Sequence, residues 1–262
     1  MMTPAQIKEY GDELFHALNH RHMLPPLTQR LPDITIEDAY EISLTMVNNR
    51  VQAGEKIIGK KIGVSSKAVQ EMLDVHQPDF GFLTDKMQYA NGEDMPISKV
   101  LIQPRAEGEL AFMLNQDLIG PGVSTQDVLA ATDYVMPCFE IVDSRIENWR
   151  IRIQDTVADN ASCGLFVVGD SRINPNEIDL AKPKMVVTKN GKVISEGYGS
   201  AALGNPLHCV AWLANTLGQF DVPLKAGEIV LSGSWVPLES VIAGDSMSLE
   251  IEGIGGVSVN FT

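Results

Sequence analysis

Basic side chains are scarce in this 262-residue chain: 20 Lys and Arg stand against 34 Asp and Glu, a formal net charge of −14. A surface so dominated by acids repels polyphosphate and anionic lipid, which excludes nucleic acid and a charged membrane surface as partners. Cysteine is scarcer still. Cys138, Cys163 and Cys209 are odd in number, far apart and outside any CxxC spacing, so they indicate neither a disulfide framework nor a zinc site, and the compartment reads as reducing. The chain also lacks an uninterrupted apolar run of the roughly 18 residues a membrane span needs, and its start shows no basic segment followed by an apolar one. Repeats and low-complexity tracts are missing too. What remains is a chain read as soluble and cytoplasmic, 44% hydrophobic and long enough to bury a sizeable core. An anionic small molecule can bind it only where a local positive centre, a few Lys or Arg or a bound cation, overcomes the general field.

The first 55 residues read as helical. Thr3-Pro4-Ala5-Gln6 has the threonine, early proline and Gln of a capping box, and Ile7, Tyr10, Leu14 and Leu18 recur at helical spacing until Pro25 and Pro26 stop the pattern. A second helix is predicted from Thr35, with Glu37 and Asp38 in its first turn, Ala39, Ile42, Met46 and Val47 facing inward, and an end near Gly54. From residue 56 the texture changes to short β-rich runs, interrupted by helices predicted after Ser65 or Ser66, after Ser124 and after Pro206. Asn91-Gly92 and Asn190-Gly191 are hairpin signals, the second the stronger. E-G-I-G-G near Gly255 reads as another turn, because the strand–glycine–helix context of a dinucleotide loop is missing. The chain therefore reads as one domain, 1–262, with a helical part (1–55) packed on a β-rich body (56–262).

In P-R-A-E-G-E-L-A-F (Pro104 to Phe112) a strand puts Ala106, Gly108, Leu110 and Phe112 on one face and Arg105, Glu107 and Glu109 on the other. A solvent-facing side, partly compensated by Arg105, is one reading of that pair of acids. Gly108 points the other way, since glycine inside a strand often marks close approach by a ligand or another backbone. Glu140 stands between Phe139 and Ile141 in a run that reads as an interior strand. A bare carboxylate there must shift its pKa, pair with a core base or bind a metal. Three carboxylates from two strands suit a hard divalent cation such as Mg²⁺ or Mn²⁺, which takes oxygen ligands and fills its remaining positions with water.

K-I-G-V-S-S-K (Lys61 to Lys67), P-D-F-G (Pro78 to Gly81), P-R-A-E-G-E-L-A-F, C-F-E-I-V-D-S-R, D-T-V-A-D-N-A-S (Asp155 to Ser162), A-A-L-G-N-P (Ala201 to Pro206) and V-A-W-L-A-N (Val210 to Asn215) follow one another in this order. Together they resemble the hydratase and decarboxylase branch of the fumarylacetoacetase-like superfamily, over nearly the whole chain. The resemblance implies an α+β fold: a fumarylacetoacetase C-terminal-domain-like mixed β-sandwich or roll with an N-terminal helical segment, the body carrying a metal site. It implies Glu107, Glu109 and Glu140 as ligands of Mg²⁺ or Mn²⁺, and Lys61 and Asp79 as the catalytic pair beside the metal, with Lys61 also touching substrate. By their types alone these two are a strand-edge lysine and a turn residue of Q-P-D-F-G. Lys60 does not occupy the matching position.

The activity implied is metal-dependent hydration of a short 2-hydroxydienoic acid. Decarboxylation of 4-oxalocrotonate is the alternative, set second because Asp79 stands where that branch has an uncharged residue. Ser234, in the loop L-S-G-S-W, is a further candidate for binding the substrate carboxylate. A homo-oligomer, and a complex with 4-oxalocrotonate decarboxylase, are the partners implied. Other residues read as structural: His16, His20 and His22 as solvent-facing, His76 as a loop residue near the site entrance, and His208 as packed. Asp143-Ser144-Arg145 reads as either an interior ion pair supporting Glu140 or a subunit contact.

Overall fold

Two capping boxes start the N-terminal helices. Thr3 and Gln6 exchange side-chain and backbone hydrogen bonds to open α1 (Pro4–His20), and Thr35 and Asp38 do the same for α2 (Ile36–Gln52). Helix α1 stops before the prolines expected to end it, because Arg21 turns left-handed at φ 51° and its N–H caps the Ala17 and Leu18 carbonyls. Leu14 and Ala17 of α1 and Ala39, Ile42 and Met46 of α2 are buried in the main core. Tyr40 of α2 stacks on Phe80 with ring centroids 4.0 Å apart, fixing the helical layer to the strand that begins at Asp79. The computed structural model describes residues 1–65, 70 and 78–262. The helix predicted after Ser65 or Ser66, and His76, lie outside the described residues.

The body holds β1 (Ile57–Gly63), β2 (Asp79–Thr84), β3 (Gln88–Tyr89), β4 (Asp94–Met95), β5 (Arg105–Leu114), β6 (Thr132–Val142), β7 (Leu165–Val168), β8 (Lys184–Lys189), β9 (Lys192–Tyr198), β10 (Ile229–Leu231), β11 (Glu239–Ser240), β12 (Ser246–Ile251) and β13 (Gly255–Phe261). The larger sheet runs β2-β1-β10-β5-β6-β7-β3, with β11 pairing the start of β5, and the smaller runs β4-β13-β12-β8-β9. Pairing is mixed: β1 with β10, β3 with β7 and β4 with β13 are parallel, while β1–β2 and β5–β6 are antiparallel. Helices α3 (Thr125–Ala131), α4 (Ile153–Ala158) and α5 (Pro206–Gly218) complete the parts used below. The α+β architecture expected from the sequence is the one observed.

Strand β5 is covered on both faces, which removes the solvent-facing reading of its acids. On the side away from the glutamates, a Cβ at Gly108 would lie 2.6 Å from Met185 Sδ and 3.2 Å from Leu249 Cδ2. Gly108 thus admits the side chains of the smaller sheet rather than a ligand. Asn190 and Gly191, both at positive φ (51° and 76°), make the tight β8–β9 hairpin. Asn91-Gly92 makes no hairpin; it passes the chain from β3 in the larger sheet to β4 in the smaller one. His16 and His20 are exposed and stack on each other. His208 is exposed as well, not packed: it sits in the first turn of α5, where its ring nitrogen reaches the Leu203 carbonyl at 3.0 Å.

Arg145 is fully buried and pairs with Asp159, Nε to Oδ1 at 2.5 Å, while its other nitrogens donate to the Cys163 and Asp159 carbonyls. Asp143 instead accepts the backbone N–H groups of Ile102 and Gln103. The ion pair is therefore interior, with Asp159 as its acid. Removing one partner of such a pair strands a buried charge, so Arg145→Met should lose about 3–5 kcal/mol of unfolding free energy. Urea denaturation measures it; a loss below about 1 kcal/mol would count against a buried, ionised pair.

Candidate metal centre and active site

The register of β5 on β6 sets Glu107 directly opposite Glu140, and Glu109 lies two residues along on the same face. One carboxylate oxygen from each of the three lies within 4.8 Å of the others, so the structure gathers the predicted ligands at one point. Glu109 and Glu140 are buried and Glu107 is half-buried. Glu109 Oε2 accepts the Gly233 N–H at 2.8 Å. The Lys61 ammonium stands 3.2 Å from Glu140 Oε1 and pairs with it by charge. Apart from that ion pair, both Glu140 oxygens and Glu109 Oε1 meet no donor among the described residues.

Burial raises the pKa of all three acids, and repulsion from the other glutamates adds to it for Glu109 and Glu140. Glu109 is pushed well above the usual range by burial and then by Glu140 and Glu107. Burial and Glu107 lift Glu140 to about 7 against the opposing pull of Lys61. Glu107 is raised by burial, again against Lys61. Buried acceptors without donors, all of them hard oxygens from converging carboxylates, fit a hard divalent cation.

Strand β1 supplies the cation of the site. Its alternation sends Lys60 to one face, where it pairs with Glu228 at 2.5 Å, and Lys61 to the other, toward Glu140. Asp79 opens β2 directly opposite Gly63. A side chain at Gly63 would collide with Asp79 Oδ1 and stand 3.1 Å from Lys61 Nζ, so the glycine is what lets these two groups share one space. Burial lowers the Lys61 ammonium, but Glu140, Asp79 and Glu107 outweigh it and hold the group above its ordinary value. Asp79 is raised by burial, with Lys61 and Thr156 opposing. Thr156 of α4 donates to Asp79 Oδ2 at 3.0 Å, whereas Oδ1 meets no donor among the described residues.

A cavity of about 90 Å³ joins these groups, with Lys61, Asp79, Glu107, Arg105, Trp149 and Thr156 in its wall. Ser234 is buried outside that wall; its hydroxyl donates to the Val236 carbonyl at 2.6 Å, within its own loop. Thr156, Ser162, Arg105 and Trp149 line the cavity without having been singled out in the sequence. The signal for the first two was present in D-T-V-A-D-N-A-S. There Asn160, Ala161 and Ser162 are all left-handed (φ 51°, 50° and 53°), a conformation that costs roughly 1–2 kcal/mol per residue and concentrates at functional sites. Asn160 holds this run to β2 through two hydrogen bonds to the Phe82 backbone.

Residues 45–262 match the model of the fumarylacetoacetate (FAA) hydrolase C-terminal family. The chain belongs to that family. Among its relatives, the 2-hydroxyhexa-2,4-dienoate hydratase of Comamonas testosteroni is 57% identical, over 98% of this chain and 97% of that one. The 2-hydroxypent-2,4-dienoate hydratase of Pseudomonas putida is 63% identical, over 84% of this chain and 100% of that one. Among solved structures of the family, the 4-oxalocrotonate decarboxylase of Pseudomonas putida G7, complexed with magnesium and adipate, superposes with a TM-score of 0.96 at 34% identity, over 100% of this chain and 99% of that one.

Two outcomes test the centre. Glu107→Gln should lose most of its bound divalent metal by elemental analysis while its circular dichroism is kept; unchanged metal content would remove Glu107 from the ligand set. The raised carboxyl pKa values also give the metal-free fold a signed pH dependence. A folded cluster that keeps protons the unfolded chain has lost near 4.5 is favoured at low pH, and that contribution disappears as pH climbs through about 7. The Tm of chelator-treated protein should therefore fall between pH 6 and pH 8, and excess Mg²⁺ should raise it more at pH 8, where ligands need not release protons. A Tm that rises over that interval, or an equal Mg²⁺ effect at both pH values, would contradict the assignment.

Proposed function

We propose that this protein is a hydro-lyase, a 2-oxopent-4-enoate hydratase, that uses a divalent metal to convert 2-hydroxypenta-2,4-dienoate to 4-hydroxy-2-oxopentanoate in meta-cleavage degradation of aromatic compounds. The observation that carries it is the converging carboxylate triad, whose Glu107 lines a small cavity together with Lys61 and Asp79. Identities of 57% and 63% to dienoate hydratases, against 34% to the decarboxylase, favour hydration over the second reaction. In this reading Glu107, Glu109 and Glu140 hold Mg²⁺ or Mn²⁺. The cation supplies electrostatic stabilisation of negative charge on the 2-oxygen of the substrate.

The chain's own residues manage the protons. The dienol must lose its hydroxyl proton and gain one at C5, which leaves an unsaturated 2-oxo acid with an electrophilic C4. Water then adds, its oxygen to C4 and a proton to C3, giving the 4-hydroxy product. Lys61, held charged by Glu140, Asp79 and Glu107, is suited to donate to developing negative charge rather than to act as a base. Asp79 is suited to take and return protons: its pKa is raised, its Oδ1 is without a donor among the described residues, and Thr156 fixes its other oxygen.

Supplied with Mg²⁺, the enzyme should consume 2-hydroxypenta-2,4-dienoate and yield 4-hydroxy-2-oxopentanoate, without releasing carbon dioxide from 4-oxalocrotonate. Carbon dioxide release as the main reaction would replace the hydratase by the decarboxylase. Asp79→Asn should retain metal and lower kcat by about 100-fold or more; full turnover by that variant would take Asp79 out of the mechanism.

A further inference from the structure

We infer that Arg105 is a substrate-binding residue whose guanidinium takes the carboxylate of the substrate, and that Trp149 is the platform holding it there. The inference rests on the reading above only for the class of acid bound. Its starting point is charge. Glu107, Glu109, Glu140 and Asp79 bring four formal negative charges to the site, and Lys61 returns one positive. A divalent cation still leaves one negative charge facing an anionic substrate. A second protein cation in the wall balances that formal charge and favours an anionic 2-oxo acid.

Arg105 is the residue so placed. It lies on β5, on the face of Glu107 and Glu109, and lines the cavity together with Lys61 and Glu107. Among the described residues its guanidinium pairs with no carboxylate and instead lies 4.7 Å over the centre of the Trp149 ring. In an acid-rich protein, a half-buried guanidinium left without an acid partner has its hydrogen-bonding edge available for a ligand. The edge of a guanidinium matches a carboxylate in a two-bond geometry that an ammonium cannot reproduce.

The platform is itself constrained. Trp149 adopts φ 54° and Asn148 φ 57°, and a left-handed conformation is an outlier for so bulky a residue. The indole N–H donates to the Gln103 carbonyl at 3.1 Å, which anchors the ring two residues upstream of Arg105. Strain of this kind persists where neighbouring contacts fix the residue, and here it fixes a ring against the cavity.

The test is binding of 2-oxopentanoate, a saturated acid that cannot be hydrated, to Mg²⁺-loaded protein by calorimetry. Arg105→Met should bind it roughly 10- to 100-fold more weakly than the unaltered protein. Its Tm and its Mn²⁺ affinity should stay unchanged. Arg105→Lys should recover only part of the loss, and Trp149→Leu should weaken binding in the same direction. With dienoate, KM should rise in Arg105→Met by more than kcat falls. Binding by Arg105→Met within about twofold of the unaltered protein, or no binding of 2-oxopentanoate by the unaltered protein, overturns the inference. Failure of the dienoate to be hydrated, with the binding difference intact, overturns the proposed reaction and leaves the role of Arg105 standing.

Discussion

Carboxylates crowded within 4.8 Å of one another and largely buried repel each other strongly, and the rest of the site is organised around containing that repulsion. Antiparallel pairing of β5 and β6 brings Glu107 and Glu140 face to face, a register set by ten and eleven residues of strand rather than by the acids themselves. Core packing on the opposite face enforces it: Gly108 lies against Met185 and Leu249 of the second sheet, and a slip of one residue would turn the glutamates into that apolar layer. Lys61 and the Gly233 N–H each answer one acid, which leaves an incomplete balance among the protein groups. That incompleteness suits the cluster to a divalent cation.

The same two-residue periodicity decides which lysine serves the site. Lys60 and Lys61 are adjacent and both buried, yet one neutralises Glu228 on the far side of the sheet and the other enters the carboxylate cluster. Parallel pairing with β10 sets Lys61 beside Leu231, and β10 leads directly into the loop whose Gly233 N–H caps Glu109. Strand β2 then brings Asp79 opposite Gly63. The three glutamates, the ammonium and the Asp79 carboxyl therefore sit on strands of one sheet, and their relative positions are set by its hydrogen-bond ladder.

Much of this was legible in the chain. The capping boxes at Thr3 and Thr35, the Asn190-Gly191 hairpin and the Glu107/Glu109 alternation each follow from local chemistry that the tertiary fold does not override. Convergence of Glu140 on the other two acids was legible as a need for compensation, since an acid between Phe139 and Ile141 had to find a partner. What local pattern could not supply was contact at long range. Arg145 and Asp159 meet across two loops, Thr156 reaches Asp79 from 77 residues away, and His208 turns outward because Cys209 and Val210, its neighbours in α5, occupy the buried face. Asn91-Gly92 misled for a related reason: its backbone geometry is that of a tight turn, but the strands on either side belong to different sheets.

A fold and a carboxylate triad of this kind can serve either hydration or loss of carbon dioxide, because both reactions develop negative charge at the same 2-oxygen. The choice has to be made by the groups that handle protons around the rest of the substrate. In this chain those groups are unsymmetrical. Lys61 is surrounded by acids that keep it charged, whereas Asp79 is buried with one oxygen tied to Thr156 and the other open. A carboxyl with raised pKa beside an ammonium held charged can exchange a proton while the ammonium stays a donor, a division of labour suited to adding water across a double bond. Decarboxylation needs a charge sink and one proton delivery, and it gains little from a further buried acid beside them. The cost of holding Asp79 in that environment, with a glycine cleared opposite it and three left-handed residues packed nearby, is best explained by a reaction that moves protons in both directions.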